Sequence, residues 1–189
     1  MDRGGIQAAS EPGPAIESYV APHPTTLGPT SNVAERTFPD TKKPASIRAV
    51  RILDVNGDIL RTSAPIPNEP LVVEIDYVVR EETSDLYVVF SMVNAFDEDV
   101  VWQYDAETDV FNNRPPGEYR AQISLPDRML RAGSYGVNIA LVQLGHPAID
   151  YHIRPIVLEL SDNRSLLATK NVKWPSNLSM PLPWKTKTF

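Results

Sequence analysis

The sequence predicts an all-β chain, an antiparallel β-sandwich of immunoglobulin-like or jelly-roll type, preceded by an extended proline-rich N-terminal tail. Three observations predict it. Short segments alternate apolar and polar residues with period two, at spacings of 8–15 residues. No segment carries a convincing amphipathic helical period. Two turns also share one layout, Pro116-Gly117-Glu118-Tyr119 and Ala132-Gly133-Ser134-Tyr135, each placing a Gly before a Tyr that opens an alternating strand.

Residues 1–45 read as a linker. They hold seven of the eighteen prolines, with Ser, Thr and Gly between them and no apolar period. Such a segment cannot bury a core, so it is expected to be extended or disordered. The sandwich is expected over 46–162. Ile47–Asp54 is the first strand, ended by Asn56-Gly57, a turn signal because both residues tolerate positive φ. Ile59–Thr62 should pair back as a hairpin. Pro65, Pro67 and Pro70 make 63–70 a loop, because proline cannot donate to a ladder.

Leu71–Val79 alternates cleanly, with Leu71, Val73, Ile75, Tyr77 and Val79 on one face. Leu86–Phe96 sets Leu86, Val88, Phe90 and Met92 on its core face. Its other face, Tyr87, Val89, Ser91 and Val93, is also largely apolar, which predicts a central strand or a partner on that side. Val100–Tyr104 follows, then a polar loop from Asp105 to Arg114. Pro126–Leu130 is the one candidate for a helical turn. The strands Tyr119–Leu125, Tyr135–Leu141 and Ile156–Leu160 complete the set. Residues 163–189 form a C-terminal extension in which Leu166–Lys173 is a candidate last strand, suited to exchange with another copy.

Charge divides the chain. Residues 46–162 carry nine Lys/Arg against nineteen Asp/Glu, a net of −10; residues 163–189 carry five Lys/Arg and no acid, a net of +5. An acidic domain is a poor nucleic-acid binder, since phosphate contacts need a basic face. The basic extension is expected to lie on the acidic domain, or on a membrane surface or acidic partner. There is no Cys, which excludes disulfides and thiolate chemistry. No secretory apolar segment opens the chain, so the expected location is cytoplasmic, peripheral at most to the inner face of the cell membrane.

Catalytic motifs are not found. The chain has no phosphate-binding loop, dinucleotide fingerprint or nucleophile elbow. His23, His146 and His152, even with Asp150, lack metal-ligand spacing and read as surface histidines, so no cofactor is expected. Asp97, Glu98 and Asp99, and then Asp105, Glu107 and Asp109, read as solvated acidic turns. A calcium loop or a glycosidase carboxylate pair is the sharper alternative.

Aromatic residues carry the functional reading. Tyr87, Phe96, Trp102, Tyr104, Phe111, Tyr119 and Tyr151 lie in or beside strands. A sugar-binding surface needs flat aromatic faces for the C–H side of a pyranose, with polar groups for its hydroxyls. The non-core parity offers Glu74, Asp76, Tyr87, Ser91, Gln122 and Asn138. Of these, Asp76, Tyr87, Ser91, Gln122 and Asn138 are the candidate glycan-binding residues.

The order Ile47–Asp54, Asn56-Gly57, Leu71–Val79, Phe90-Ser91-Met92-Val93-Asn94, Pro116-Gly117-Glu118-Tyr119 and Leu130-Arg131-Ala132-Gly133-Ser134-Tyr135 resembles the C-terminal carbohydrate-binding domain of Wzt-type O-antigen ABC exporters. The resemblance covers about residues 46–162. It implies a non-catalytic domain that binds the end of a lipid-linked polysaccharide and delivers it to export or assembly machinery. It also implies a homodimer and ABC-exporter subunits as partners. The family's ATPase domain has no counterpart in this sequence. The rival readings are a protein-interaction sandwich that uses Tyr87, Val89 and Val93, and a glycan-active enzyme built on the acidic loops.

Overall fold

In the computed structural model, residues 34–60, 66–67, 69–105, 113–143 and 145–161 are described. The chain divides after Thr30, and all described residues belong to the second unit. The alternating segments are strands: β1 Glu35–Thr37, β2 Ala45–Leu53, β3 Ile66–Pro67, β4 Leu71–Val79, β5 Thr83–Ser84, β6 Leu86–Val93, β7 Asp99–Tyr104, β8 Asn113–Arg114, β9 Gly117–Leu125, β10 Gly133–Gln143 and β11 Asp150–Ser161.

A four-stranded sheet runs β1-β2-β4-β9 and a five-stranded sheet runs β3-β11-β10-β6-β7, with β5 and β8 as a small ribbon. Every pairing is antiparallel except β11 with β3. The inward parities meet in one core: Val50, Ile52, Val73 and Ile75 from the first sheet, Leu86, Phe90, Met92, Val137, Ile139 and Leu158 from the second. Fully burying one such side chain is worth about 1.5–3 kcal/mol. This is the expected all-β sandwich, and its two sheets present separate outer faces.

The two Gly–Tyr turns are tyrosine corners. The Tyr119 hydroxyl donates to the Pro115 carbonyl at 2.7 Å, and the Tyr135 hydroxyl donates to the Arg131 carbonyl at 3.1 Å. Each bond spans four residues, and each ring lies over the glycine two positions before it, at 3.5–3.6 Å from where a Cβ would stand. The bond ties the entry loop to the first residues of the strand, a corner known from immunoglobulin-like sandwiches.

The hairpin turn at Asn56-Gly57 forms, with Gly57 at φ 82°. The Asp54 carboxylate accepts the N–H groups of Asn56 and Asp58. The returning segment makes the bridge Leu53–Ile59 and the bond from Leu60 N–H to the Ile52 carbonyl, and the rest of the expected Ile59–Thr62 strand lies outside the described residues.

Several boundaries differ from expectation. The sheet begins at Glu35, inside the expected linker. A three-residue edge strand is too short to show alternation, but Arg51 holds Glu35, Phe38 stacks on His152 and Lys43 pairs with Asp150. The 63–70 loop contains β3, and the 105–114 loop ends in β8. Leu86–Phe96 stops as a strand at Val93, because the Asn94 side chain caps a turn by accepting the Phe96 and Glu98 N–H groups. Near 126–130 the chain turns with Arg128 at φ 56° instead of forming a helical turn. The strand expected at Ile156–Leu160 starts at Asp150. Pro155 is tolerated there because β11 bulges: β10 takes two residues from Val137 to Ile139 while β11 takes four from His152 to Ile156. Residues 1–33, 163–189 and Phe111, with the readings placed on them, lie outside the described residues.

Candidate functional site

The five candidate residues do not share one face. Asp76 on β4 and Gln122 on β9 belong to the four-stranded sheet; Tyr87 and Ser91 on β6 and Asn138 on β10 belong to the five-stranded sheet. Pleating explains why sequence alone merged them. Period two reports that a residue points outward, but not from which sheet.

The outer face of the four-stranded sheet is an ion-pair lattice. Arg51 pairs with Glu35 at 2.7 Å, Glu74 at 3.0 Å and Asp76 at 2.6 Å. Arg120 pairs with Asp76 at 2.6 Å, and Gln122 donates to Glu74 at 2.9 Å. Hydrogen bonding from Arg120, then from Arg51, holds the Asp76 carboxyl below the usual carboxylate range against the opposing effect of burial. Both candidates here already have protein partners, so a sugar hydroxyl would have to displace one.

The outer face of the five-stranded sheet is different. Register sets Tyr104, Val89, Ala140 and Tyr151 on one rung across β7, β6, β10 and β11. The next rung sets Trp102, Ser91 and Asn138 side by side. On these two rungs β7 and β11 carry large aromatics and β6 and β10 carry smaller residues, so the face is a trough there, with Tyr87 of β6 one rung further on. Its width, from β7 to β11, is three strand spacings, or ~14 Å. Trp102 and Tyr151 are 56% and 52% exposed, while Ser91 and Asn138 on the floor are under a tenth exposed. The Trp102 and Tyr104 rings lie 5.4 Å apart, and Tyr87 meets Tyr104 edge-on at 6.0 Å.

Asn138 sits opposite the β11 bulge. Its carbonyl oxygen accepts the Arg154 N–H at 2.9 Å, and its amide donates to the Ser91 hydroxyl at 3.3 Å. Arg154, at φ 48°, lays its stem over Gly136 and pairs with Asp97. An ion pair thus bounds the trough beside the Phe96–Asp97 turn. Tyr87 is the one aromatic among the five candidates expected from sequence, while Trp102 and Tyr151 are named there only as aromatics in or beside strands; the cross-strand register that unites them is not readable from sequence.

A second concavity lies between the sheets. A cleft of about 470 Å³ opens between the β7 and β9 edges. At its β8 end a buried polar chain joins the layers. Arg114 pairs with Asp105 and donates to the Tyr77 hydroxyl, and Asp105 accepts the Val88 N–H at 2.9 Å. Burial pushes the Tyr77 phenol up to about 12 despite the nearby Arg114 guanidinium.

The other candidates have assigned places. His146 is exposed at a turn, and His152 stacks on Phe38 at 3.7 Å beside Asp150. Glu98 accepts the Asn94 amide at 2.7 Å. Glu107 and Asp109 lie outside the described residues. Among the described residues no three metal-ligating side chains converge, and no helix is long and apolar enough to cross a membrane.

No protein-family model matches the chain, and no curated protein does. Solved structures do match. The crystal structure of the C-terminal domain of Wzt superposes with a TM-score of 0.60 at 12% identity, over 81% of this chain and 87% of that one. A Niemann-Pick type C2 protein from the Japanese carpenter ant aligns at TM-score 0.46 and 12% identity, over 67% of this chain and 100% of the other. The first likeness establishes the fold.

Proposed function

We propose that the chain is a non-catalytic carbohydrate-binding domain whose ligand is a cell-surface polysaccharide of the O-antigen type, laid along the trough of the five-stranded sheet. The observation that carries this reading is the pair of rungs Tyr104–Val89–Ala140–Tyr151 and Trp102–Ser91–Asn138. Aromatic faces at both sides suit the C–H faces of sugar rings. The Ser91 hydroxyl and the Arg154 guanidinium supply polar contacts between them. Tyr87 and Ser91 remain binding residues in this reading, joined by Trp102 and Tyr151; Asn138, whose amide is held by Arg154 and Ser91, shapes the floor, and Asp76 and Gln122 belong to the structural lattice of the other sheet. The resemblance of the motif order to exporter carbohydrate-binding domains supports the same ligand class and fits the shared fold.

The finer reading places this domain, as a homodimer, beside ABC-exporter or glycan-assembly subunits at the cytoplasmic side of the membrane. The test is calorimetry of the full chain against the source organism's purified surface polysaccharide, beside Trp102→Ala and Tyr87→Ala. Saturable binding weakened by both substitutions supports the reading, and no binding at millimolar sugar overturns it. One observation favours a protein partner instead. Ile153 and Phe96 are exposed apolar side chains on the strand and turn that flank the trough, and apolar exposure of that kind suits a protein contact. Pull-down that depends on Ile153 and Phe96, without sugar binding, is the outcome that selects it.

A further inference from the structure

We infer that the cleft between the two sheets takes the hydrocarbon chain of an uncharged amphiphile. The argument starts from the β9 edge. Its inward stripe, Tyr119, Ala121 and Ile123, faces the opposite sheet yet is only half-buried, whereas the equivalent stripe of β4 is buried throughout. Among the described residues the sandwich is therefore not closed along this side. Ile75, Val88, Phe90 and Leu125 form the inner wall, all of them buried and apolar. An apolar wall of this kind favours an apolar guest.

Size and polarity define the guest. Liquid water needs about 30 Å³ per molecule and a methylene takes similar room, so about 470 Å³ holds on the order of fifteen such units. That is one alkyl chain. The exposed polar residues of the lining, Gln103, Gln122 and Ser124, are neutral. Among the described residues no basic side chain lines the cleft, and the one carboxylate there, Asp105, is held by Arg114. A charged head group would find no counter-charge there, while a hydroxyl-rich head would find hydrogen-bond partners. A monoacylglycerol has this chemistry. The cleft shares Tyr104 with the outer trough but none of Trp102, Ser91, Asn138 and Tyr151, so variants on the two sites tell the two readings apart.

The test uses the full chain and 1-monolauroylglycerol below its micellar concentration, followed by displacement of Nile red and by methyl NMR. Saturable one-to-one binding is expected, with the methyl signals of Ile75, Ile123 and Met129 shifting and that of Ile153, on the outer face, unmoved. Ala121→Trp, which fills the cleft, should weaken binding at least tenfold; Val55→Ala, at an exposed turn position outside the lining, should leave it unchanged. Absence of binding, or shifts confined to Ile153, overturns the inference. If Ala121→Trp does not fold, the methyl pattern in the unmodified chain decides alone.

Discussion

Arg154 lies so closely across Gly136 that a Cβ on the glycine would stand 2.7 Å from the Arg154 Cγ and 3.0 Å from its Cδ. Gly136 is buried and faces the trough, so the arginine stem occupies the space that any other residue's side chain would need. Gly136→Ala should therefore push Arg154 aside and break its pair with Asp97. Overpacking of this kind costs about 1–3 kcal/mol. Asp97→Asn removes the same pair from a largely exposed carboxylate, where such pairs are worth about 0–1 kcal/mol, and Asn tolerates the positive φ found there. Thermal unfolding should rank Gly136→Ala well below Asp97→Asn. Equal losses would show that the ion pair, and not the close approach, holds this wall.

Asp150 gives the acid limb of stability. It is nearly fully buried, and it accepts Lys43 Nζ at 2.7 Å and the Ile47 N–H at 2.8 Å. Burial pushes its carboxyl up, but the Lys43 ammonium, the Ile47 N–H and His152 outweigh that and hold it below its ordinary value. A folded pKa depressed below the unfolded one contributes stability that is present above about pH 4 and lost as pH falls through the folded value. Unfolding midpoints measured across acid pH should fall for the native chain and fall less steeply for Asp150→Asn. Asp150→Ala should also cost about 1.5–3 kcal/mol near neutrality, because it strips a charge-assisted bond from a buried N–H. A native acid limb unchanged by Asp150→Asn would move the effect to other carboxylates.

How much of this was legible in the sequence follows from what each signal encodes. Alternation is local, so Leu71–Val79, Tyr119–Leu125 and Tyr135–Leu141 were readable as strands with their core faces. The Gly–Tyr layout marked two corners because a tyrosine that bonds four residues back leaves its trace within six positions. Register is not local. Trp102, Ser91 and Asn138 come from three strands separated by up to 47 positions, and only cross-strand pairing makes them neighbours. For the same reason Asp76 and Tyr87, close in sequence and alike in parity, fall on opposite sides of the molecule. The β11 bulge was hidden too, since Pro155 within an alternating run reads as a strand breaker.

Tyr77 should be the last of the described tyrosines to ionise. Its ring packs against Tyr119 at 5.3 Å, its hydroxyl is held by Arg114, and burial pushes its phenol to about 12. Tyrosinate absorbance in an alkaline titration should show one late step, absent in Tyr77→Phe. That substitution keeps the ring but takes an acceptor from a buried guanidinium, at about 1.5–3 kcal/mol. A late step that survives Tyr77→Phe would assign it to Tyr135, whose phenol burial also raises.

The two faces can be told apart by charge-neutral and aromatic substitutions made in parallel. Trp102 is more than half exposed, so Trp102→Ala removes a binding surface without opening the core and should change stability by under about 1 kcal/mol. Asp76→Asn loosens the Arg51–Arg120 lattice on the opposite sheet and should lower the unfolding midpoint slightly. Binding should show the reverse order. Trp102→Ala is expected to weaken polysaccharide binding about tenfold, or about 1.4 kcal/mol, and Asp76→Asn to leave it unchanged. Tyr151→Ala, across the trough, should behave like Trp102→Ala if the glycan spans from β7 to β11, and like Asp76→Asn if it contacts the β7 side alone. Calorimetry on the three variants settles the face and the span together: loss of binding in Asp76→Asn with retention in Trp102→Ala would move the ligand to the four-stranded sheet.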